Sequence, residues 1–228
     1  PPRSGLQWIG QAWSLFRAQP GGWIALMSVW LMFSLALFAL VPLVGPPVCV
    51  LMQPGLFAGM VIAARDQEQE KRVGPGHLFT GFGENGRALV TIGSVALLAE
   101  ALVTWAISAL GFPRIPLGEN GLPDMRGLVA ALQPGDWALL AGGMLAITLV
   151  KGVLWFSTAL LALHPMRPVE AIRWSGYALV ANFGPMLFLL FGMTILLLAA
   201  WLPLMLGLLL WMPIYALVHY TSFKAVFR

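Results

Sequence analysis

Charged residues are scarce in this chain of 228 residues, since only 10% are Asp, Glu, Lys or Arg while 59% are hydrophobic. Soluble domains carry about 25% charged residues, so this composition excludes an ordinary soluble domain. The mean hydropathy of +0.84 agrees with that exclusion. Several stretches of about 20 apolar residues are each long enough to cross the hydrocarbon core of a bilayer. The sequence therefore predicts an integral membrane protein.

Cysteine and histidine are also scarce, with one cysteine and three histidines. Cys49 has no second cysteine for an intrachain disulfide and no histidine nearby in the sequence. The histidines lack a ligand partner at metal-site spacing, so we expect no metal site and no cofactor. The apolar stretches contain no Gly-x-Ser-x-Gly motif, no phosphate-binding glycine loop and no paired carboxylates. We therefore expect no catalytic residues and a protein that is not an enzyme.

The apolar stretches alternate with short polar or Pro/Gly segments and predict six transmembrane helices. These helices cover residues 22–41, 47–64, 88–111, 137–163, 184–201 and 204–222. Proline-containing segments at residues 42–47 and 201–203 reverse the chain, because proline disfavours helix at the preceding residue and donates no backbone hydrogen bond. The expected fold is all-α, a polytopic membrane bundle of six transmembrane helices in three hairpins.

Basic residues are distributed unevenly between the predicted loops. Placing both termini in the cytoplasm puts ten of the thirteen Lys and Arg residues inside, with Arg114 and Arg126 outside and Lys151 within the membrane. This bias follows the positive-inside rule and predicts cytoplasmic termini. Contact of the inner basic residues with anionic lipid explains the net charge of +4, so we expect no nucleic-acid partner.

Three short amphipathic segments precede the hairpins on the predicted cytoplasmic side, at residues 6–19, 77–87 and 169–183. In the first segment, apolar residues recur every three or four positions and predict an interfacial helix along the lipid headgroups. Its expected apolar stripe consists of Leu6, Ile9, Trp13 and Phe16.

The chain also contains the signs of an internal repeat within one integral membrane domain, residues 1–228. Gln7-Trp8-Ile9-Gly10 aligns with Arg173-Trp174-Ser175-Gly176, and a proline-preceded apolar stretch follows each segment. The possible degenerate units cover residues 6–65, 77–164 and 170–228. The second helix of each hairpin has a comparable predicted break: Gln53-Pro54-Gly55, Val150-Lys151-Gly152 and Met212-Pro213-Ile214. The alternative is that apolar hairpins flanked by tryptophan simply resemble one another.

The predicted outer loop, residues 112–136, is the one sizeable segment expected outside the membrane. Asp124 is a suitable N-cap for a short helix at residues 125–132, which Pro134-Gly135 would terminate. Two interpretations are open, a cover for the outer face of the bundle and a lid over a substrate.

Three segments resemble a known family. They are the Trp-containing surface helix before the first span, Pro54-Gly55-Leu56-Phe57-Ala58-Gly59, and Leu78-Phe79-Thr80-Gly81-Phe82. Through them the chain resembles an uncharacterised family of six-pass bacterial inner-membrane proteins. That family is similar in organisation to the YciC-like proteins and to the membrane domain of some glycerophosphodiester phosphodiesterases. The resemblance covers nearly the whole chain and implies a bacterial inner-membrane location, without an established activity.

Glu100 and Lys151 each lie alone near the middle of a predicted transmembrane helix. A charge at that depth costs about 3 kcal/mol on a lipid-facing helix, so we expect both side chains to face protein or water. Each lies roughly 18–20 Å from the inner surface, so antiparallel helices would bring the two level. Two roles are open: a buried ion pair that fixes the register of the middle hairpin, and a proton-linked or anion-binding centre in a polar cavity.

A second candidate site is formed by the helix-break candidates Gln53, Pro54, Gly55 and Pro213. Interrupted transmembrane helices can present backbone carbonyls to an ion or a substrate. Proline kinks in such helices also occur for packing alone. Both interpretations are open for these four residues.

Three functions are compatible with these features. The first is a non-enzymatic protein that binds lipid or another hydrophobic molecule, or assists its movement across the inner membrane, with a cleft near Glu100 and Lys151. The second is an accessory or scaffold subunit of a larger membrane complex, and the third is a small proton-coupled transporter that uses Glu100. The expected partners are membrane lipids and, in the second case, another membrane protein.

Overall fold

A computed structural model describes residues 4–41, 43–83, 85–113, 124–202 and 207–227, and every regular element in these ranges is helical. The α-helices are α1 (Ser4–Ala18), α2 (Pro20–Leu40), α3 (Gly45–Glu68), α4 (Gly86–Ala109), α5 (Met125–Ala131), α6 (Pro134–Leu154), α7 (Ser157–Leu163), α8 (Pro168–Ala181), α9 (Phe183–Trp201) and α10 (Leu208–Phe227), and a 3-10 helix (Pro75–Phe82) lies between α3 and α4. Some of the predictions fall outside the described residues. They concern residues 114–123 of the predicted outer loop, residues 203–206, and Arg3 and Arg228 of the charge pattern.

Five of the described segments are long and apolar enough to cross a membrane. They are Pro20–Leu40, Gly45–Glu68, Gly86–Ala109, Pro134–Leu163 and Phe183–Trp201. These segments match the first five predicted spans to within a few residues. The sixth prediction, residues 204–222, falls largely on α10, which is not among the five. Six spans and the arrangement in three hairpins therefore stay predictions.

The fourth predicted span is not one continuous helix. α6 ends at Leu154 and α7 begins at Ser157, so the interruption lies after Lys151 rather than around it. The backbone N–H of Phe156, within the interruption, donates to Oγ of Ser175 on α8 over 2.9 Å. The helix can be interrupted here because the hydroxyl of Ser175 accepts the backbone N–H that the interruption leaves without a helical partner.

α3 and α10 continue through the residues that were predicted to break them. Pro54 lies inside α3 with Gln53 and Gly55 beside it, and Pro213 lies inside α10. A proline removes one backbone donor, which bends a helix without ending it when the neighbouring turns remain bonded. The expectation that these four residues interrupt their helices is therefore corrected.

Glycines allow the 3-10 helix to approach α3 closely. Gly81 faces the backbone carbonyl of Gly55, while Gly59 faces the carbonyls of His77 and Leu78. A side chain at these positions would occupy space that the neighbouring backbone fills. The two internal segments that carry the family resemblance therefore pack directly against each other, and the predicted amphipathic segment at residues 77–87 begins as a 3-10 helix rather than an α-helix.

α1 packs against α9 and α10, and the side chains of Leu6 and Ile9 lie against Gly192 of α9. The buried residues of α1 are Gly5, Trp8, Ala12 and Phe16. Leu6 and Trp13 of the predicted stripe are instead 47% and 38% exposed. Gly5 lies against the backbone of α9, where a side chain would hold the helices apart. The buried face therefore shares Phe16 with the predicted stripe, and the interfacial role of this helix stays a prediction.

Contacts between residues divide the chain into two compact units, a larger one of Pro1–Ser94 with Val153–Arg228 and a smaller one of Val95–Gly152. In the larger unit, α10 contacts α1, α2, α3, α7 and α9, and nearly all of its residues from Pro213 to Phe223 are buried. The smaller unit includes α5, whose predicted cap is confirmed, because the Asp124 side chain accepts hydrogen bonds from the backbone N–H groups of Arg126 and Gly127.

Two glutamines tie the end of α1 to α3 and the segment after it. Oε1 of Gln67 accepts a hydrogen bond from the Trp23 indole N–H, and Nε2 of Gln67 donates to the carbonyl of Leu15, both over 2.7 Å. Gln19 donates through Nε2 to the carbonyl of Lys71 and accepts through Oε1 from the backbone N–H of Val73. These bonds satisfy polar groups at the end of α1 and fix the position of that helix.

Replacing Gly59 by alanine should destabilise the larger unit, because the added methyl group meets the carbonyls of His77 and Leu78. Overpacking of this kind costs about 1–3 kcal/mol, so we expect the melting temperature in detergent, followed by circular dichroism, to fall by about 5 °C. The matched control is Gly10→Ala in α1, where no atom lies within 4 Å of the new methyl group. Equal melting temperatures for the two variants would contradict the close contact.

Gln67→Leu should destabilise the protein for a different reason. Leucine leaves the Trp23 indole N–H and the Leu15 carbonyl without their partner, and an unsatisfied buried polar group costs about 1–3 kcal/mol. We expect a lower melting temperature and faster tryptic cleavage after Arg17, near the end of α1. Gln69→Leu, in the exposed turn after α3, is the control. Wild-type behaviour of Gln67→Leu would show that these bonds do not hold α1.

Candidate functional site

Glu100 on α4 and Lys151 on α6 both belong to the smaller unit. Gly143 of α6 faces the side chains of Ile107 and Val103 on α4, so the absence of a side chain allows the helices to meet there. Glu100 precedes Ile107 by about two turns, and Lys151 follows Gly143 by about two turns, as antiparallel helices require. The contact at Gly143 therefore sets the register that brings the two charges level.

The two charged groups are in contact. Nζ of Lys151 lies 3.1 Å from Oε1 of Glu100. The Glu100 side chain is 25% exposed and the Lys151 side chain is 51% exposed. Oε1 itself is buried and has no aligned hydrogen-bond donor among the described residues, so its contact with Lys151 is an ion contact rather than a well-directed hydrogen bond. The two charges are level, as antiparallel helices require, and Lys151 is half exposed, so the choice between the two roles stays a prediction.

Exposed apolar side chains neighbour the pair along both helices. Leu98 and Leu102 on α4 are each 64% exposed, and Leu149 on α6 is 53% exposed. In a membrane, a half-exposed lysine side chain on such a surface meets hydrocarbon unless a ligand, water or another protein covers it. The carboxylate accepts hydrogen bonds and the ammonium donates them, so the pair complements a polar group that does both.

The helix-break candidates belong to the larger unit, whereas Glu100 and Lys151 belong to the smaller one. Pro54, Gly55 and Pro213 are buried, and Gln53 is half-buried. The ring of Phe82 lies directly over Gly55. Close packing of helices accounts for the small residue at this position, since any side chain there would displace that ring.

An aromatic cluster around His219 was missed by sequence reasoning. The imidazole of His219 stacks on Trp155 with ring centres 3.7 Å apart, and it also contacts Phe57 and Tyr215 with ring centres 4.9 and 5.0 Å away. Nδ1 of His219 lies 3.1 Å from the carbonyl of Tyr215. The cluster joins α3, the interruption between α6 and α7, and α10, so His219 is a core residue of the larger unit.

A weak signal for this cluster exists in the sequence. Phe57 follows Pro54, Trp155 follows Lys151, and Tyr215 follows Pro213 by two to four residues, so each predicted break is succeeded by an aromatic side chain. The three aromatic side chains thus lie within about one helical turn after the three predicted breaks.

The polar segment at the end of α3 forms specific contacts. Asp66 lies 2.9 Å from Arg65, 3.4 Å from Lys71 and 3.8 Å from His77. Glu68 accepts from the Tyr220 hydroxyl and from Lys224, both on α10, over 2.7 Å. Within the described ranges no group of three His, Cys, Asp or Glu side chains is placed to hold a metal ion.

Comparison with known proteins supports the membrane assignment. A probable inner membrane protein of Burkholderia thailandensis is 32% identical to this chain over 195 residues, which cover 80% of this chain and 69% of the relative. No family model matches the chain, and no solved structure matches it. The identity and coverage, together with the five apolar helices, indicate a shared multi-pass architecture. The chain belongs to the same family as this bacterial relative and is an integral inner-membrane protein.

Proposed function

We propose that the protein is a non-enzymatic inner-membrane protein that binds lipid, or another hydrophobic molecule with a polar group, at the face of α4 and α6 that carries Glu100 and Lys151. The half-exposed ion pair within two otherwise apolar helices carries this proposal. We also propose cytoplasmic termini, since the distribution of basic residues favours them. We further propose that the chain is organised like the YciC-like proteins and like the membrane domain of some glycerophosphodiester phosphodiesterases.

The physical basis is the cost of leaving charge in hydrocarbon. The Lys151 side chain is half exposed, so lipid tails alone would leave its charge with Glu100 as its one polar neighbour among the described residues. A lipid headgroup contains both anionic oxygens and hydrogen-bond donors or cations, and it can therefore interact with Lys151 and Glu100 together. A headgroup held at this depth would be part of the way across the bilayer. The proposed role is therefore assistance to the movement of an amphipathic molecule between the leaflets.

A second candidate function is that of an accessory subunit in a larger membrane complex. The same face favours it, because Leu98, Leu102 and Trp105 on α4 are each at least 64% exposed. A partner helix with polar side chains at matching depth would cover the ion pair as a headgroup does. This candidate differs from the first in requiring a protein at fixed stoichiometry, which native mass spectrometry of the purified protein in mild detergent detects.

A phospholipid with a photoreactive group on its headgroup tests the first candidate in vesicles. We expect adducts on peptides that contain Glu100 and Lys151, because the headgroup is brought to the middle of α4 and α6. In the double variant Glu100→Gln, Lys151→Met these adducts should fall about tenfold, since hydrogen bonds to charged groups contribute about 1.5–3 kcal/mol. The matched control is Thr104→Val, Thr148→Val, because both hydroxyls bond only to carbonyls of their own helices.

Adducts confined to the ends of the helices in the wild-type protein would reject headgroup binding at this depth. Equal labelling in the double variant and the control would assign the labelling to general lipid contact. A co-purifying protein at fixed ratio, with no mid-helix adducts, would favour the accessory subunit.

The alternative role of the pair as a structural link gives a separate stability prediction. Glu100→Gln and Lys151→Gln each leave one unpartnered charge and should each lower stability by about 2–3 kcal/mol. The double variant Glu100→Gln, Lys151→Gln contains neither charge, so no unpaired charge remains in it. Its melting temperature should therefore return close to that of the wild type. Thermal unfolding in detergent measures this coupling. Single variants that melt like the wild type would show that the pair does not hold α4 and α6 in register.

A further inference from the structure

An open groove of about 530 Å3 lies in the larger unit, between α8 and the ends of α7 and α10. Its lining includes Leu160, His164, Trp174, Tyr177, Asn182 and Phe227. The wall is mainly apolar, with the polar groups His164 and Asn182 at either end of the segment that carries α8. None of these residues belongs to the smaller unit that contains Glu100 and Lys151.

The groove lies where two candidate membrane spans end. The span Pro134–Leu163 stops immediately before His164, and the span Phe183–Trp201 starts immediately after Asn182. The ends of spans meet the boundary between hydrocarbon and headgroups, which is where tryptophan and tyrosine are enriched. Trp174 and Tyr177 are 57% and 62% exposed, and their rings are in edge contact with centres 6.2 Å apart. The groove therefore opens at a level where a phospholipid has its glycerol and phosphate.

Two arginines flank the groove along the chain. Arg167 follows the lining residue Met166, and Arg173 precedes Trp174. Both are exposed, and neither guanidinium makes an ion pair or hydrogen bond with any residue that the structure describes. Glu170 is the single acidic residue between them, and it accepts from the backbone N–H of Arg167. Two unpaired guanidinium groups beside an apolar groove complement an anionic headgroup with an attached acyl chain.

We propose that this groove binds an anionic phospholipid. One acyl chain lies along the apolar wall of Leu160, Ala178 and Phe227, the ester region packs on Trp174 and Tyr177, and the phosphate contacts Arg167 and Arg173. α8 is then a lipid-recognition helix. This site is independent of the ion pair on α4 and α6, so it holds whether or not a headgroup binds there.

Native mass spectrometry of the full chain with phosphatidylglycerol and phosphatidylcholine at equal concentration tests the proposal. We expect the wild-type protein to retain phosphatidylglycerol preferentially. Arg167→Gln, Arg173→Gln should reduce that retention about twentyfold, because each basic residue at an anionic surface contributes about a fivefold factor. The control with the same change of charge is Arg72→Gln, Arg87→Gln, and it should retain the preference. These two arginines are exposed and, unlike Arg167 and Arg173, are not next to a lining residue in the chain.

A second variant tests the groove itself. Ala181 lines the groove and is exposed, so Ala181→Phe fills it without entering the core, and retention of phosphatidylglycerol should fall. Ala18→Phe, at the exposed end of α1, is its control. Equal retention of the two lipids by the wild type, or equal losses in the groove variants and their controls, would overturn the proposal.

A measurement on the wild-type protein avoids any variant that fails to fold. Phosphatidylglycerol with a photoreactive acyl chain should label the peptide that contains Trp174 and Tyr177 more strongly than the matching phosphatidylcholine probe. Equal labelling by the two probes would reject recognition of the anionic headgroup. Protection of this peptide by a co-purifying protein would assign the groove to a protein partner instead.

Discussion

One turn of α10 joins three other parts of the larger unit through polar side chains. Tyr220 donates to Glu68 at the end of α3 over 2.7 Å, and Thr221 donates to the carbonyl of Trp8 on α1 over 3.0 Å. Ser222 accepts the indole N–H of Trp155 from the interruption between α6 and α7. A buried polar group without a partner is expensive, and more so where lipid replaces water outside the protein. These paired groups therefore require α1, α3 and the interruption to meet α10 at one level. His219, which stacks on Trp155, belongs to the same turn.

The short helices contact the long ones in a circular order. The 3-10 helix packs on α2 and α3, α8 packs on α7, and α1 packs on α9 and α10. These contacts follow the order of the predicted units 6–65, 77–164 and 170–228. The short helix of the second unit contacts the first unit, and that of the third unit contacts the second. α1, the short helix of the first unit, contacts the third unit. Gly81 and Gly5 permit two of these contacts, since each faces backbone atoms. The repeat stays a prediction, and this order of contacts is what three interlocked units would have.

Charge is placed differently in the two units. In the larger unit, Glu68 ends α3 and Lys224 lies in the last turn of α10, so their ion pair is at the ends of helices where water can reach it. In the smaller unit, Glu100 and Lys151 lie well within α4 and α6, and their pair is partly exposed beside apolar residues. The first arrangement is explained by packing and hydration alone. The second places a half-exposed charged side chain beside exposed apolar ones, which is why it carries the functional proposal.

The sequence by itself determined the helical class, five long apolar segments to within a few residues, the Asp124 cap and the two charges of the candidate site. These features depend on local composition and spacing, which hydropathy, proline and capping chemistry make readable. Tertiary structure alone decided that Gly5 and Ala12 turn one face of α1 inward, that the fourth span breaks at Trp155, and that Lys151 is half exposed. Those outcomes depend on the shapes of surfaces far apart in the chain, where a glycine or a hydroxyl on one helix decides how closely another can approach.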